Sequence, residues 1–185
     1  MRAAQALAVA AWARAIKRDR SATADLETAC AVMESADDRD ILIGSMTALG
    51  MVLSSSDLPG SLVLRERSLA MARAEGLVYI ESWTVTMICH THLHGGALDE
   101  ALRYADDLAS MGERTNNDDA VAFALHVHAN VKVARGDLAA ARTLFADAVA
   151  RARGRSSAWP RTMALFGLAR VTVAARPTCA PSPAP

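Results

Sequence analysis

The stretch GDLAAARTLFADA, residues 136–148, carries the pattern that decides the fold of this 185-residue chain. Its apolar residues recur at steps of three, four and three, so they line one face of a helix: Leu138, Ala141, Phe145 and Ala148. The alanines let a neighbouring helix approach closely, and the two large side chains fill the gap between helices. This face therefore predicts packing between antiparallel helices.

Two further stretches repeat this arrangement, GSLVLRERSLAMA from Gly60 and GALDEALRYADDL from Gly96. The glycines that open the three stretches, Gly60, Gly96 and Gly136, are separated by 36 and 40 residues. A period in this range is typical of stacked helical hairpins, in which no hairpin buries its apolar face alone.

Helical periodicity and capping residues predict about nine helices along the chain. They cover residues 2–17, 21–35, 39–54, 61–75, 78–94, 97–111, 119–135, 138–153 and 158–175. The composition agrees, because 52% of the residues are hydrophobic and only 4% are aromatic, which suits a core of small and aliphatic side chains. No Asn-Gly or Asp-Gly turn separates alternating runs, so the sequence predicts an all-α fold.

The repeat resembles the tetratricopeptide repeat, whose second helix carries a turn glycine, a large residue, a small alanine, an aromatic residue and a second alanine. The stretch at residues 136–148 matches all five positions. The copy from Gly60 departs from the pattern, because Arg65 lies where a small residue is expected. The resemblance implies a right-handed α-solenoid of antiparallel helix pairs over residues 1–175. Residues 176–185 are rich in proline, which predicts a disordered tail.

Divergent repeats rich in alanine and arginine also resemble the helical-repeat regions of large bacterial transcriptional regulators of the LuxR-type and antibiotic-regulatory-protein families. Members of those families join an ATPase module, such repeats and a DNA-binding domain. This chain has no G-x-x-x-x-G-K-[ST] phosphate loop and no helix-turn-helix pattern after the repeats. The resemblance implies the repeat or sensor portion of such a regulator, or a truncated piece of one.

Charge and motif content exclude several function classes. The chain has 20 basic and 20 acidic residues, whereas a protein that binds nucleic acid directly normally has a basic excess. It has no nucleophile motif and no cofactor motif, so we expect neither catalysis nor a cofactor. No apolar run approaches the length of about 18 residues that a membrane span needs. Three widely spaced cysteines without a C-x-x-C pair suit a reducing compartment, which predicts a cytoplasmic protein.

The first hypothesis for function is a non-catalytic scaffold that binds a protein or peptide partner in the groove of the stacked hairpins. An alternative is a sensor that binds a small-molecule effector between hairpins. The predicted groove residues are polar side chains on the first helix of each pair: Arg39, Ser45, Thr84, His92, His128 and Lys132. End helices without a neighbour expose apolar faces, which predicts a homodimer through those helices.

A second alternative is a metal-binding protein that uses histidine ligands. His90 and His94 are four residues apart, which is the spacing that lets two imidazoles on one helix share a metal ion. His126 or His128, on the helix predicted at residues 119–135, is the candidate for the third ligand. The hypothesis requires three ring nitrogens that converge, because two ligands do not make a protein metal site.

Overall fold

The structure is a computed structural model that describes residues 6, 7, 9–11, 13, 14, 17, 19, 21–35, 39–54, 56–152 and 158–174. It bounds eight helices: α1 (Ala22–Ser35), α2 (Arg39–Leu53), α3 (Leu58–Ala74), α4 (Val78–Gly95), α5 (Leu98–Thr115), α6 (Asp118–Ala134), α7 (Leu138–Arg151) and α8 (Trp159–Ala174). Of the predicted helix 2–17, residues 6, 7, 9–11, 13 and 14 are helical. The predicted tail, residues 176–185, lies outside the described residues.

The all-α helical-repeat fold is confirmed, since the described ranges contain helices and turns but no strand. None of the described helices combines the length and the apolar character needed to cross a bilayer. The right-handed arrangement stays a prediction.

Burial confirms the repeat register. The positions five, nine and twelve residues after each repeat glycine are all buried, with at most 4% of the residue exposed. These positions are Arg65, Leu69 and Ala72 in α3, Ala101, Ala105 and Leu108 in α5, and Ala141, Phe145 and Ala148 in α7. The large cation at the first of these positions in α3 is therefore an interior residue, like the alanines at the same position in α5 and α7.

Two predicted boundaries are wrong by three residues or more. Helix α5 ends at Thr115 and not at residue 111. Helix α3 begins at Leu58 and not at residue 61, because Asp57 caps it and accepts a hydrogen bond from the backbone N–H of Gly60 at 2.9 Å. Gly60 consequently lies in the first helical turn. Gly96 and Gly136 instead have positive φ angles of 75° and 82°, a conformation that residues with a side chain rarely adopt. Gly96 caps the C-terminus of α4, and Gly136 lies in the turn just before α7.

The chain divides into two compact units, residues 1–104 and 105–185, and the division falls within α5. In the first unit α1 packs on α2, α2 on α3 and α3 on α4. Its apolar core includes two clusters, one around Leu26 and Leu49 and the other around Met33 and Met46.

In the second unit α6, α7 and α8 pack against one another. Its core includes a cluster around Phe145 and Val171, and the ring of Phe123 stacks on Trp159 with centroids 5.1 Å apart. Gly167 of α8 lies directly on Phe145, where a Cβ atom would come within 2.3 Å of the ring. The missing side chain is what lets α8 approach α7 so closely.

Candidate partner-binding surface

Two aromatic side chains lie exposed near the start of α4. Tyr79 is 81% exposed and Trp83 is 39% exposed. They are four residues apart, so their side chains are neighbours on one face of the helix. Exposed Trp and Tyr side chains of this kind are the residue types that dominate the energetics of protein interfaces, because each combines a large apolar area with few rotatable bonds.

Two ion pairs join helices of the first unit. Arg39, at the first residue of α2, pairs with Glu75 at the end of α3, with nitrogen and oxygen 3.7 Å apart. Arg73 of α3 pairs with Glu81 of α4 at 2.8 Å. Glu81 lies two residues from Tyr79 and from Trp83, so it faces a different side of α4. We name the exposed pair Tyr79 and Trp83 the aromatic surface.

The predicted metal site is not present in the residues that the structure describes. His90 and His94 are indeed neighbours on α4, with ring centroids 5.6 Å apart and planes inclined at 62°. His128, in the second unit, instead makes a 2.9 Å contact from its Nε2 to Asp106 Oδ1. No group of three or more His, Cys, Asp or Glu side chains within the described ranges could hold a metal ion. The described residues therefore give no support to the hypothesis of a histidine metal site.

Two of the predicted groove residues are interior. Ser45 is 4% exposed and Thr84 is fully buried, so neither can line a surface that a partner reaches. Both have short side chains that fit between packed helices, and neither hydroxyl has a hydrogen-bond partner among the described residues. Polarity on the first helix of a pair is thus not sufficient evidence of exposure.

His92 is only half-buried, but it belongs to a packed cluster. Its ring stacks on Tyr104, with centroids 5.5 Å apart and planes inclined at 17°. The Tyr104 hydroxyl donates to Glu66 Oε1 at 3.4 Å, and the guanidinium of Arg103 lies 4.1 Å from the centre of the Tyr104 ring. Burial lowers the pKa of His92 below its usual value. The neutral ring therefore acts as a packing element in this cluster.

The predicted groove residues of the second unit contact carboxylates within that unit. His128 contacts Asp106, as given above, and Lys132 lies 3.9 Å from Asp137. Both side chains are partly exposed, at 32% and 44%. A partner that used them would have to replace these carboxylates. The second unit therefore offers a weaker case for a binding surface than the aromatic pair does.

Helix α8 exposes three large apolar side chains, Leu165, Phe166 and Val173. Its opposite face, with Ala164, Gly167 and Val171, is buried in the second unit. This is the end helix on which the sequence predicts a homodimer contact. Self-association through this face stays a prediction.

Sequence reasoning does not single out Tyr79 or Trp83 as site residues. Helix α4 carries apolar and small polar residues around its whole circumference, so no polar face marks the side that points outward. The available signal is the spacing of the two aromatic residues by one helical turn beside Glu75 and Glu81, in a chain with few aromatic residues. That signal is weak without knowledge of the neighbouring helices.

No protein-family model matches the chain, and no curated protein sequence matches it. Among solved structures the chain is similar to BtubC (BKLC) from P. vanneervenii, with a TM-score of 0.59 and 12% sequence identity. The similarity covers 92% of this chain and 82% of that chain. At this identity it shows the fold alone.

Proposed function

We propose that this protein is a non-catalytic scaffold that binds a protein partner on the aromatic surface. The observation that carries the proposal is the exposure of Tyr79 and Trp83, which lie one helical turn apart on α4. Helical-repeat proteins commonly present such surfaces to peptide segments.

The chemistry of the surface defines the partner that fits it. Tyr79 and Trp83 would contact an apolar anchor residue, and Trp83 is the stronger candidate for the main contact because it is already partly enclosed. A short amphipathic helix with one apolar stripe presents such an anchor.

A finer part of the proposal concerns the biological setting. We infer a cytoplasmic protein that forms the repeat portion of a bacterial transcriptional regulator. The alanine- and arginine-rich repeats described above support this inference. In that setting the aromatic surface would hold the repeats against another part of the regulatory assembly.

The test is a selection of binding peptides from a phage-displayed library against the wild-type protein, followed by fluorescence anisotropy with each selected peptide. Trp83→Ala and Tyr79→Ala remove the two anchors. Phe166→Ala is the matched control, because Phe166 is also an exposed aromatic residue, at 68%, but lies on α8.

We expect Trp83→Ala to weaken binding at least tenfold, since loss of a central aromatic anchor typically removes about 2 kcal/mol or more. Tyr79→Ala should have a smaller effect and Phe166→Ala none. Because the two α4 residues are exposed, circular dichroism should show unchanged helical content in all three variants. Peptides that bind Trp83→Ala and wild type equally well would exclude the aromatic surface as the binding site.

A further inference from the structure

Arg65 is the most unusual interior residue of the first unit. It lies on the buried face of α3 and exposes only 2% of its surface. In the repeat register it occupies the position held by Ala101 in α5 and Ala141 in α7. A charged side chain at a small-residue position of a helix interface must lose its hydration, which is unfavourable unless another group compensates its charge.

The hydrogen bonds of Arg65 leave one edge of the guanidinium open. Nε donates to Ser61 Oγ at 3.2 Å, and Ser61 Oγ in turn donates to the carbonyl oxygen of Gly50 at 2.6 Å. Nη1 is buried and has no acceptor among the described residues. Burial lowers the pKa of Arg65 to about 10, and no charged neighbour contributes to that shift. The group therefore carries a positive charge at neutral pH.

The other buried polar side chains of the first unit are uncharged. Thr47 Oγ1 and Ser68 Oγ lie 3.0 Å apart, and both donate to the carbonyl oxygen of Ile43. Nine of the ten buried polar side chains in the described ranges belong to the first unit: Ser45, Thr47, Ser61, Arg65, Ser68, Ser82, Thr84, Thr86 and Thr91. Hydroxyl groups can accept hydrogen bonds, but they supply no negative charge for Arg65.

The guanidinium is restrained on two sides. Gly50 of α2 lies against Arg65, and a Cβ atom there would lie 3.2 Å from both Cγ and Nε of the arginine. The hydrogen bond from Nε to Ser61 Oγ favours the orientation that keeps this contact. A donor that is charged, desolvated and held in one orientation has little entropy left to lose when it binds an acceptor.

We propose that Arg65 is the anchor of a binding site for a small carboxylate ligand, which accepts a hydrogen bond from Nη1. A carboxylate supplies the missing negative charge, and its planar geometry matches the donors of a guanidinium. The site differs from the aromatic surface and stands whether or not a protein docks there. Because Arg65 exposes only 2% of its surface, binding requires a local opening that admits the ligand, so association should be slower than diffusion permits.

The experiment is isothermal titration calorimetry and thermal unfolding of the full chain with acetate, succinate or citrate, at constant ionic strength set by sodium chloride. Inorganic phosphate is the comparison anion. We expect saturable binding of at least one carboxylate. When that carboxylate is present at about one hundred times its Kd, the midpoint of thermal unfolding of the protein should rise by about 5 °C. Weaker or no binding of phosphate is expected.

Arg65→Leu removes the charge and keeps much of the side-chain volume, and it should abolish the response to the carboxylate. Arg67→Leu is the matched control, because Arg67 lies on the same helix but is exposed and pairs with Glu34. That variant should bind like wild type. The Nε–Hε signal of Arg65 in wild type should also shift on titration, which tests the site even if Arg65→Leu does not fold.

Three outcomes would overturn the proposal. One is the absence of saturable binding by wild type with all three carboxylates. Another is binding of phosphate alone, which would show an anion site of different chemistry. The third is an equal response in Arg65→Leu and wild type, which would place the ligand elsewhere.

Discussion

Gly50 of α2 and Arg65 of α3 form a matched pair across a helix interface. A Cβ atom on Gly50 would lie 3.2 Å from Cγ and from Nε of Arg65, and 3.3 Å from the carbonyl oxygen of Ser61. The large side chain at a small-residue position of one helix is accommodated because the facing helix has no side chain there. This repeat therefore differs from the alanine-rich pattern at two matched positions, with Arg65 on α3 in place of a small residue and Gly50 facing it on α2.

Gly50→Ala should destabilise the protein by about 1 kcal/mol. Crowding against Arg65 costs about 1–3 kcal/mol, and the gain in helix propensity of about 1 kcal/mol offsets part of it. Arg65 cannot yield easily, because its Nε is bonded to Ser61. Urea unfolding followed by circular dichroism measures the change.

Gly44→Ala is the control for this prediction. Gly44 lies on the same helix, is exposed, and has no heavy atom within 4 Å of an added Cβ atom. The Gly44→Ala substitution should stabilise the protein by up to about 1 kcal/mol through helix propensity alone. If Gly50→Ala stabilised the protein as much as Gly44→Ala does, the Gly50–Arg65 contact would not be restrictive.

Gly167→Ala should destabilise the second unit by about 2 kcal/mol, because the new methyl group would lie 2.3 to 2.7 Å from three atoms of the Phe145 ring. Helix α8 would have to move away from α7. A double-mutant cycle with Phe145→Leu measures the coupling by thermal unfolding. The cost of Gly167→Ala should fall in the Phe145→Leu background, and an unchanged cost would contradict the proposed clash.

Asp137→Ala should reduce the free energy of unfolding by about 1 kcal/mol, because it removes the cap of α7. The Asp137 carboxylate accepts a hydrogen bond from the backbone N–H of Ala140 at 3.1 Å. Asp137→Asn keeps this acceptor and loses only the exposed ion pair with Lys132, which contributes little. Equal losses in the two variants, measured by urea unfolding, would assign the effect to charge and not to capping.

His126 should make the stability of the protein depend on pH. Burial, with a smaller contribution from Arg170, lowers the pKa of His126 to about 4. Asn130 Nδ2 lies 3.0 Å from its Nε2, and the rings of Phe123 and Phe145 lie close by. Since the unfolded chain takes up the proton near pH 6.5, stability is fully present above that pH. It falls as the pH drops toward about 4, by at most about 3 kcal/mol.

The measurement is urea unfolding at a series of pH values between 4.5 and 7.5. His126→Phe removes the titrating group, so its free energy of unfolding should change less over this range than that of wild type. His94→Phe is the control for the substitution itself, because it makes the same replacement at a histidine that is exposed on α4. Parallel profiles for wild type and His126→Phe would refute the assignment.

The candidate site shows where sequence reasoning reaches its limit. Of the predicted groove residues, Arg39 is exposed and pairs with Glu75, whereas Ser45 and Thr84 are buried. A short hydroxyl side chain occurs in either location. Some buried ones donate to the carbonyl four residues earlier, as Thr47 and Thr91 do, whereas Ser45 and Thr84 are buried without a partner among the described residues. The residue type alone therefore could not separate the groove from the interior.

The sequence by itself determined the helices, most of their boundaries and the repeat register, because these depend on local periodicity, caps and glycine conformation. Ala141, Phe145 and Ala148 are buried as their spacing predicts. Only the tertiary structure decided that Arg65 is interior and that Tyr79 and Trp83 are exposed. Burial depends on which helix lies opposite each side chain, and the room for Arg65 was created by a glycine 15 residues away on another helix.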